Sequence, residues 1–515
     1  MAETAKAPLP PAEVSEKRFP ELKELKNPET LRPVELIEKE VDSLYVPTWM
    51  RTGKKLEQQL YWPIGALNIE KSISPENLPK NLVELFKNPN VARAFLLSQN
   101  LLKTPNFQGG LVYIWPTRLC PLGCSHCMFG APKSTERLRG ALGNRLTSEQ
   151  ADKAIQFTND MKADVVALSG GGEPLEERDT TFKVIRETHA TNIHLITNSF
   201  WAGEQKGAAE FFDELEKNFQ DREASKLPKA KFVLKLSLDE AHLHHLPMAN
   251  MHHILTEFLA RNFAFDFELR MKSIFKEDKA VAQFVKELQE MHHGAKIEEI
   301  NPYKVRILLA PGKEIFITFK NSVPSGRGKV AQTDGITANY NQGYVDFITS
   351  QLPHKKINPT NQALGGDNVE YPNGANYTIE YDGSTKLLEG SPLDNVPNID
   401  DFNFVDAQAM IFKDPISYLS RLEGPEAIYA IAAEIDAQKL ADLRYQNALY
   451  YNLERLLDTP NKRVYATIRA FQVLKSTHPE IFKEEIDDPQ KKFWLEAEVP
   501  TLKELLGLDK TESGS

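Results

Sequence analysis

Short β-forming runs alternate with amphipathic helical stretches from residue 108 to about residue 320, and this alternation constrains the fold more than any other feature. Strands separated by helices of this length imply βαβ units, a parallel sheet and an α/β fold. Right-handed crossovers then allow either an open doubly wound sheet or a full or partial barrel. The predicted strands span residues 111–115, 164–168, 193–198, 232–237, 265–274 and 305–309.

The chain on either side of this stretch has a different pattern. Pro8, Pro10 and Pro11 stand among charged residues, which predicts a flexible tail, and apolar residues at helical spacing follow it. Farther on, Asp382-Gly383 predicts the turn of a β-hairpin within a loop-rich segment. The predicted divisions are a tail at 1–33, a helical N-terminal extension at 34–107, the strand–helix domain at 108–320, the loop-rich segment with the hairpin at 321–400 and a helical C-terminal region at 401–510.

The charge balance and the hydropathy exclude several function classes. The chain has 62 Lys and Arg residues against 72 Asp and Glu residues, a formal net charge of −10. That balance argues against a global basic footprint for nucleic acid and so against a nucleic-acid partner, and a local basic groove is the alternative. No run of apolar residues approaches 18, so we expect no membrane span. The first residues lack the basic and apolar regions of a signal peptide, and we expect a cytoplasmic protein.

All three cysteines of the chain, Cys120, Cys124 and Cys127, lie within eight consecutive residues directly after the first predicted strand. An odd number of cysteines at this spacing argues against a disulfide framework and for a metal or cluster site. Three thiolates satisfy three irons of a cubane cluster and leave the fourth iron open for chemistry. A zinc site would need a fourth ligand such as His126. A cluster, a zinc site and unliganded thiols are all open at this point.

The run from Arg118 to Cys127, RLCPLGCSHC, resembles the cluster loop of the radical S-adenosylmethionine (SAM) superfamily. The resemblance implies a partial (β/α)6 radical SAM barrel over residues 108–320, with an α+β cap at its C-terminal side. It also implies that the three cysteines bind a [4Fe-4S] cluster whose unique iron takes the amino and carboxylate groups of SAM. Relatives often carry an aromatic residue just before the third cysteine, and His126 occupies that position here.

Gly171-Gly172-Glu173-Pro174 follows the second predicted strand, about 45 residues beyond the cysteines. Alone, such a run is more often a simple strand-to-helix turn. At this position it resembles the glycine-rich SAM site of the superfamily. The resemblance implies that the glycines let the backbone approach SAM and that Glu173 helps to hold the methionyl amine.

Polar residues at two further strand ends, Thr197-Asn198-Ser199 and Ser237-Leu238-Asp239, agree with the resemblance. Relatives place polar residues at these ends near the SAM ribose or the substrate, which implies cofactor-binding roles for Asn198, Ser237 and Asp239. Arg270, on the fifth strand, would pair with the methionyl carboxylate, and Glu268 would share its face by period two. Helix capping for Ser237 and Asp239, and internal pairing for Arg270 and Glu268, are the alternatives.

The expected function is a radical SAM enzyme that cleaves SAM reductively and abstracts hydrogen from a small polar metabolite, such as a sugar or an amino acid. An external electron donor such as flavodoxin or ferredoxin is implied. The hairpin at Asp382-Gly383 has no cysteine, unlike that of relatives with auxiliary clusters, and this favours a metabolite over a peptide substrate. Peptide modification is the alternative within the superfamily. A non-catalytic iron–sulfur or zinc regulatory protein is the alternative outside it.

Overall fold

The computed structural model describes a large part of the sequence beyond residue 100. The predicted tail at 1–33, nearly all of the helical extension at 34–107 and most of the segment at 321–400 lie outside the described residues. The described residues are 101–124, 127, 129–135, 138, 143–273, 276, 278–319, 375–387, 398–412, 414–443, 456–457, 459–483, 486 and 489–509.

Within these residues, ten strands form one mixed sheet. The strands are β1 (Gly110–Ile114), β2 (Val165–Leu168), β3 (Asn192–Thr197), β4 (Lys231–Ser237), β5 (Phe267–Ser273), β6 (Lys296–Asn301), β7 (Lys304–Ala310), β8 (Lys313–Phe319), β9 (Ala375–Ile379) and β10 (Thr385–Leu387). Their order across the sheet is β10-β9-β1-β2-β3-β4-β5-β8-β7-β6. All neighbours from β9 to β8 pair in parallel, which confirms the α/β fold with a large parallel sheet. The partial barrel itself stays a prediction.

Helices connect the successive parallel strands from β1 to β5. The described helices are α1 (Ser148–Asp160), α2 (Arg178–Glu187), α3 (Gln205–Ala224), α4 (Glu240–Leu243), α5 (Ala249–Ala260), α6 (Lys279–Met291), α7 (Phe404–Ile411), α8 (Pro415–Glu423), α9 (Pro425–Leu443), α10 (Pro460–Thr477), α11 (Pro489–Glu496) and α12 (Val499–Leu505). Sequence sets their ends locally: Thr147 and Gln150 form a reciprocal capping box at the start of α1. None of the described helices has the length and hydropathy to span a membrane.

The end of the parallel sheet differs from the prediction. The run predicted as a sixth strand at 305–309 lies in β7, which pairs antiparallel with both β6 and β8. The strand that pairs in parallel with β5 is β8 instead. A tight turn with Gly312 at φ +75° joins β7 to β8, so β8 reaches β5 only after this meander. An apolar run alone does not report the direction of pairing, which explains the difference.

The far end of the sheet also contains an unexpected neighbour. β9 and β10 form an antiparallel hairpin whose turn contains Asp382 and Gly383. β9 pairs in parallel with β1 over five residues, from Gly110 opposite Ala375 to Ile114 opposite Ile379. The hairpin therefore extends the parallel sheet directly beside the strand that leads into the cysteines.

The two faces of the parallel strands differ in chemistry. One face carries apolar residues such as Val112, Val166 and Leu234, which form the main core with the helices. On the other face, apolar residues near β1 and β2 give way to polar ones toward β5. The polar residues of this second face are His194, Lys235, Ser237, Glu268, Arg270, Lys272 and Thr318, which share the period-two alternation and register of their strands. We call it the polar face.

The C-terminal helices pack against the same body. The ring of Phe404 in α7 meets Phe157 of α1 at 5.4 Å, edge to face. Lys103 N–H donates to the carbonyl of Ile481, 2.7 Å away, and thereby ties the segment before β1 to the end of α10. Most of the described residues between 401 and 509 are helical.

Candidate functional site

The three cysteines lie on one loop beyond the carboxyl end of β1. Cys124 is buried, Cys120 and Cys127 are partly exposed, and none of them forms a disulfide. The N–H of Cys120 donates to the carbonyl of Pro132 at 3.1 Å, and its own carbonyl accepts the N–H of Ser134 at 2.9 Å. The backbone of Cys120 is therefore held from both sides by the returning part of the loop.

A second set of backbone bonds joins the base of this loop to the turn after β2. The hydroxyl of Thr117 donates to the carbonyl of Asn144 at 2.9 Å and accepts the N–H of Leu119 at 3.0 Å. The carbonyl of Thr117 accepts the N–H of Gly172 at 2.9 Å, and the carbonyl of Leu119 accepts the N–H of Glu173 at 2.8 Å. The cysteine loop and the glycine-rich turn thus form one hydrogen-bonded unit.

The glycines of this turn approach the protein's own backbone and side chains rather than an open cleft. A Cβ at Gly172 would lie 1.9 Å from the carbonyl oxygen of Leu119, and one at Gly170 would lie 2.5 Å from Nε1 of Trp115. Gly171 has φ +71°, a left-handed conformation that favours glycine. The sequence predicted close approach to SAM, whereas the closest approach in the structure is to the cysteine loop.

Glu173 is buried and links the ends of β2 and β3. Its Oε1 accepts the hydroxyl of Thr197 at 2.8 Å and the N–H of Leu175 at 3.1 Å, and its Oε2 accepts the N–H of Asn198 at 2.8 Å. Burial raises the pKa of Glu173 to about 7 in spite of these three bonds, which favour the ionised form. Three of the roughly four acceptor positions of the carboxylate are therefore used inside the protein.

Asn198 connects this carboxylate to the first cysteine. Its Nδ2 lies 3.5 Å from Sγ of Cys120, and its Oδ1 accepts the N–H of Phe200 at 3.0 Å. The second bond fixes the orientation of the amide, so that the NH2 group is directed to the sulfur. Cys120, Glu173 and Asn198 follow three neighbouring strands and form one connected group, in which Glu173 and Asn198 are buried and Cys120 is partly exposed.

The charges around Cys120 favour a cationic ligand. Burial raises the pKa of Cys120 to about 12; a backbone hydrogen bond of Leu122 opposes this effect, and the negative charges of Glu173, Cys124 and Cys127 add to it. A bound metal reverses this effect, because it deprotonates a coordinating thiol. Among the described residues, no three His, Cys, Asp or Glu side chains are placed to hold a single metal ion. Three thiolates are the donors that three irons of a cubane would take, whereas a zinc site would need a fourth ligand.

The residues predicted at the end of β4 lie elsewhere on the same sheet edge. Ser237 is the last residue of β4 and is partly exposed. Asp239 is buried, caps α4 through the N–H of His242 at 3.0 Å, and contacts Nδ1 of the same histidine at 2.8 Å. The helix cap considered from the sequence is thus present at Asp239, together with an Asp–His pair.

Arg270 is buried on the polar face and pairs with Glu268. Its Nε donates to Oε1 of Glu268 at 2.7 Å, while the other carboxylate oxygen of Glu268 lies 2.9 Å from Nζ of Lys231. The internal pairing considered from the sequence is therefore present. Contact of Arg270 with a methionyl carboxylate stays a prediction.

Sequence reasoning missed two residues near the site. Asn144 acts through a bond that depends on loop closure, so no local pattern marks it. Lys272 was open to detection, because the period-two pattern that placed Glu268 and Arg270 on one face continues to it.

Comparisons with known proteins add little to this description. No protein-family model matches the sequence, and no curated protein matches it. Among solved structures, hexahistidine-tagged anSMEcpe with bound AdoMet aligns with 73% of this chain and 97% of its own, at 14% identity and a TM-score of 0.33. Native anSMEcpe with bound AdoMet and the Kp18Cys peptide aligns with 72% and 99%, at the same identity and TM-score. A likeness at this level carries no argument about function, which has to come from the site.

Proposed function

We propose that the chain is a radical SAM enzyme that acts on a small polar metabolite. The observation that carries this proposal is the contact between Asn198 and Cys120, together with the three bonds of Glu173. These contacts join the cysteine loop to the ends of β2 and β3. A loop that only bound a structural metal would not need such links to two further strand ends.

Cys120, Cys124 and Cys127 would hold the [4Fe-4S] cluster. When bound and reduced, it supplies the electron that breaks the sulfonium bond of SAM and yields a 5′-deoxyadenosyl radical. Since the whole chain has three cysteines, it has no second cysteine set for an electron-transfer cluster. An external donor such as flavodoxin or ferredoxin would therefore deliver the electron.

The protein's own groups position these ligands. The backbone bonds to Pro132 and Ser134 fix Cys120, and the amide of Asn198 donates a hydrogen bond to its sulfur. Glu173 acts first as a positioning residue, because it uses three acceptor positions internally. The remaining position on Oε2 is the one we assign to the methionyl amine, with the backbone of Gly171 and Gly172 beside it.

The ends of β4 and β5 would receive the rest of SAM and the substrate. The hydroxyl of Ser237 is assigned to the ribose, whereas Asp239 would act through His242, with which it is paired. The polar face beyond them carries Lys235, Arg270 and Lys272. Such a face suits a polar metabolite, and this favours the metabolite substrate over the peptide alternative.

Anaerobic reconstitution followed by EPR tests the proposal. Protein with the cluster should contain about four irons and similar sulfide per chain, and SAM should shift the EPR signal of the reduced cluster by binding its open iron. A variant with all three cysteines replaced by alanine controls for adventitious iron. Stoichiometric zinc without sulfide, or a cluster whose signal SAM leaves unchanged, would favour the regulatory alternative.

A further inference from the structure

Lys272 is a cation on the polar face for which the described residues supply no hydrogen bond and no contact ion pair. It lies near the carboxyl end of β5 and is partly buried. Burial lowers its pKa, the negative charge of Asp239 opposes this effect, and no hydrogen bond contributes. Both carboxylate oxygens of Asp239 already contact His242: one accepts its backbone N–H, and the other contacts Nδ1 of its ring. Keeping a partly buried, unpaired ammonium is unfavourable for folding.

The other charged groups of β5 contrast with Lys272. Arg270 lies two residues before Lys272 on the same face and forms an ion pair with Glu268. Lys231 also pairs with Glu268, at 2.9 Å. Two cations thus share one carboxylate, and Glu268 has both oxygens occupied. Glu268 therefore offers no free oxygen to Lys272, whose ammonium group can bind a ligand.

The position of Lys272 relates it to the site around Cys120. Lys272 stands opposite Ser237 of β4 and Thr318 of β8 in the parallel register. Because Thr197 is opposite Leu236, the next residue, Asn198, falls in the same row as Ser237. Two strand spacings therefore separate Lys272 from the residue that contacts Cys120, a distance of about 10 Å.

We infer that Lys272 binds an oxyanion, a carboxylate or a phosphate, on the substrate of this site. The inference rests on the proposed function, under which Cys120 helps to hold the cluster that binds the methionyl end of SAM. Lys272 lies two strands along the sheet from Asn198, which contacts Cys120, so it faces the space beyond that end of SAM. An ammonium group can hold an oxyanion by a charge-assisted hydrogen bond. The substrate is accordingly an acidic metabolite.

Calorimetric titration of the cluster-loaded, SAM-saturated protein with succinate and with inorganic phosphate tests this inference. The wild type should bind at least one of the two anions, and whichever binds identifies the carboxylate or the phosphate. Lys272→Met should weaken that binding tenfold or more, whereas Lys272→Arg should retain most of it. Lys286→Met removes an equal charge from an exposed position on α6 and should change nothing.

Two further measurements make the test decisive. The affinity for SAM should be unchanged in Lys272→Met, and the ligand-free variant should unfold at a higher urea concentration than the wild type. A tenfold loss of SAM affinity with unchanged anion binding, no anion binding by the wild type, or a destabilised variant would each overturn the inference. Failure of the wild type to bind SAM would instead count against the proposed function, and the same anion titration without SAM would then test Lys272.

Discussion

Nδ2 of Asn198 lies 3.5 Å from Sγ of Cys120, a contact between residues 78 positions apart in the sequence. It joins the end of β3 to the loop after β1, across the intervening strand β2. Glu173, which follows β2, accepts the backbone N–H of the same asparagine at 2.8 Å. The three strand ends are therefore coupled, and a change at any one of them should be measurable at the cysteines.

Replacing Asn198 by alanine should lower the reduction potential of the cluster. A hydrogen bond to a cysteine sulfur stabilises the more negative, reduced state, so its loss favours the oxidised one. A bond worth about 1–2 kcal/mol corresponds to about 40–90 mV for one electron. Potentiometric titration monitored by EPR measures the shift. Asn159→Ala is the matched control, since Asn159 also makes two hydrogen bonds but lies at the end of α1. Equal potentials in the two variants would refute the role given to Asn198.

Gly172→Ala should disrupt the cysteine loop rather than selectively block SAM. The new Cβ would lie 1.9 Å from the carbonyl oxygen of Leu119, and backbone must move to relieve the clash. We expect a loss of stability of about 1–3 kcal/mol and reduced iron content after reconstitution. Urea unfolding and iron analysis measure the two effects. Gly203→Ala is the control, because Gly203 has a helical φ and its new Cβ would make only an ordinary contact, 3.7 Å from the carbonyl oxygen of Phe200. Full iron content with weakened SAM binding alone would show that Gly172 faces the ligand instead.

Glu173 should give the ligand-free protein a pH-dependent stability. Its pKa is about 7 when folded, against an ordinary value of 4.5. Between these two values the folded state holds a proton that the unfolded state has lost, so stability falls as pH rises through this window and is level above it. The largest change is about 3 kcal/mol. In Glu173→Gln, the free energy of unfolding measured with urea between pH 4.5 and pH 8 should lack this part of the pH dependence. The same slope in both proteins would show that Glu173 is ionised throughout.

Much of the sheet could be predicted from the sequence because its strands are marked locally. Strands β1 to β4 are short runs rich in apolar residues, and β5 alternates apolar and polar residues. All five lie within the predicted spans or one residue of them. β9 was not predicted to join the sheet, because its partner β1 is remote in sequence and no local pattern records that pairing. The direction of β7 was wrong for the same reason: antiparallel pairing follows from the meander, not from the apolar run.

The site could be predicted only as a set of residue types. The spacing of Cys120, Cys124 and Cys127 marked the loop, and Asn198 was marked by its position at a strand end. The roles of Gly172 and Glu173 depend on what lies opposite them, and that is set by the register between strands. Sequence alone assigned both to a ligand, whereas the structure shows their contacts with Leu119 and Asn198.

Formation of 5′-deoxyadenosine tests the central claim most directly. The cluster-loaded protein, reduced by dithionite under anaerobic conditions and mixed with SAM, should release 5′-deoxyadenosine and methionine in equal amounts. The variant with Cys120, Cys124 and Cys127 replaced by alanine, treated identically, should release neither. The account would be contradicted by a preparation that contains four irons per chain and binds SAM, yet forms no 5′-deoxyadenosine with or without acidic metabolites present.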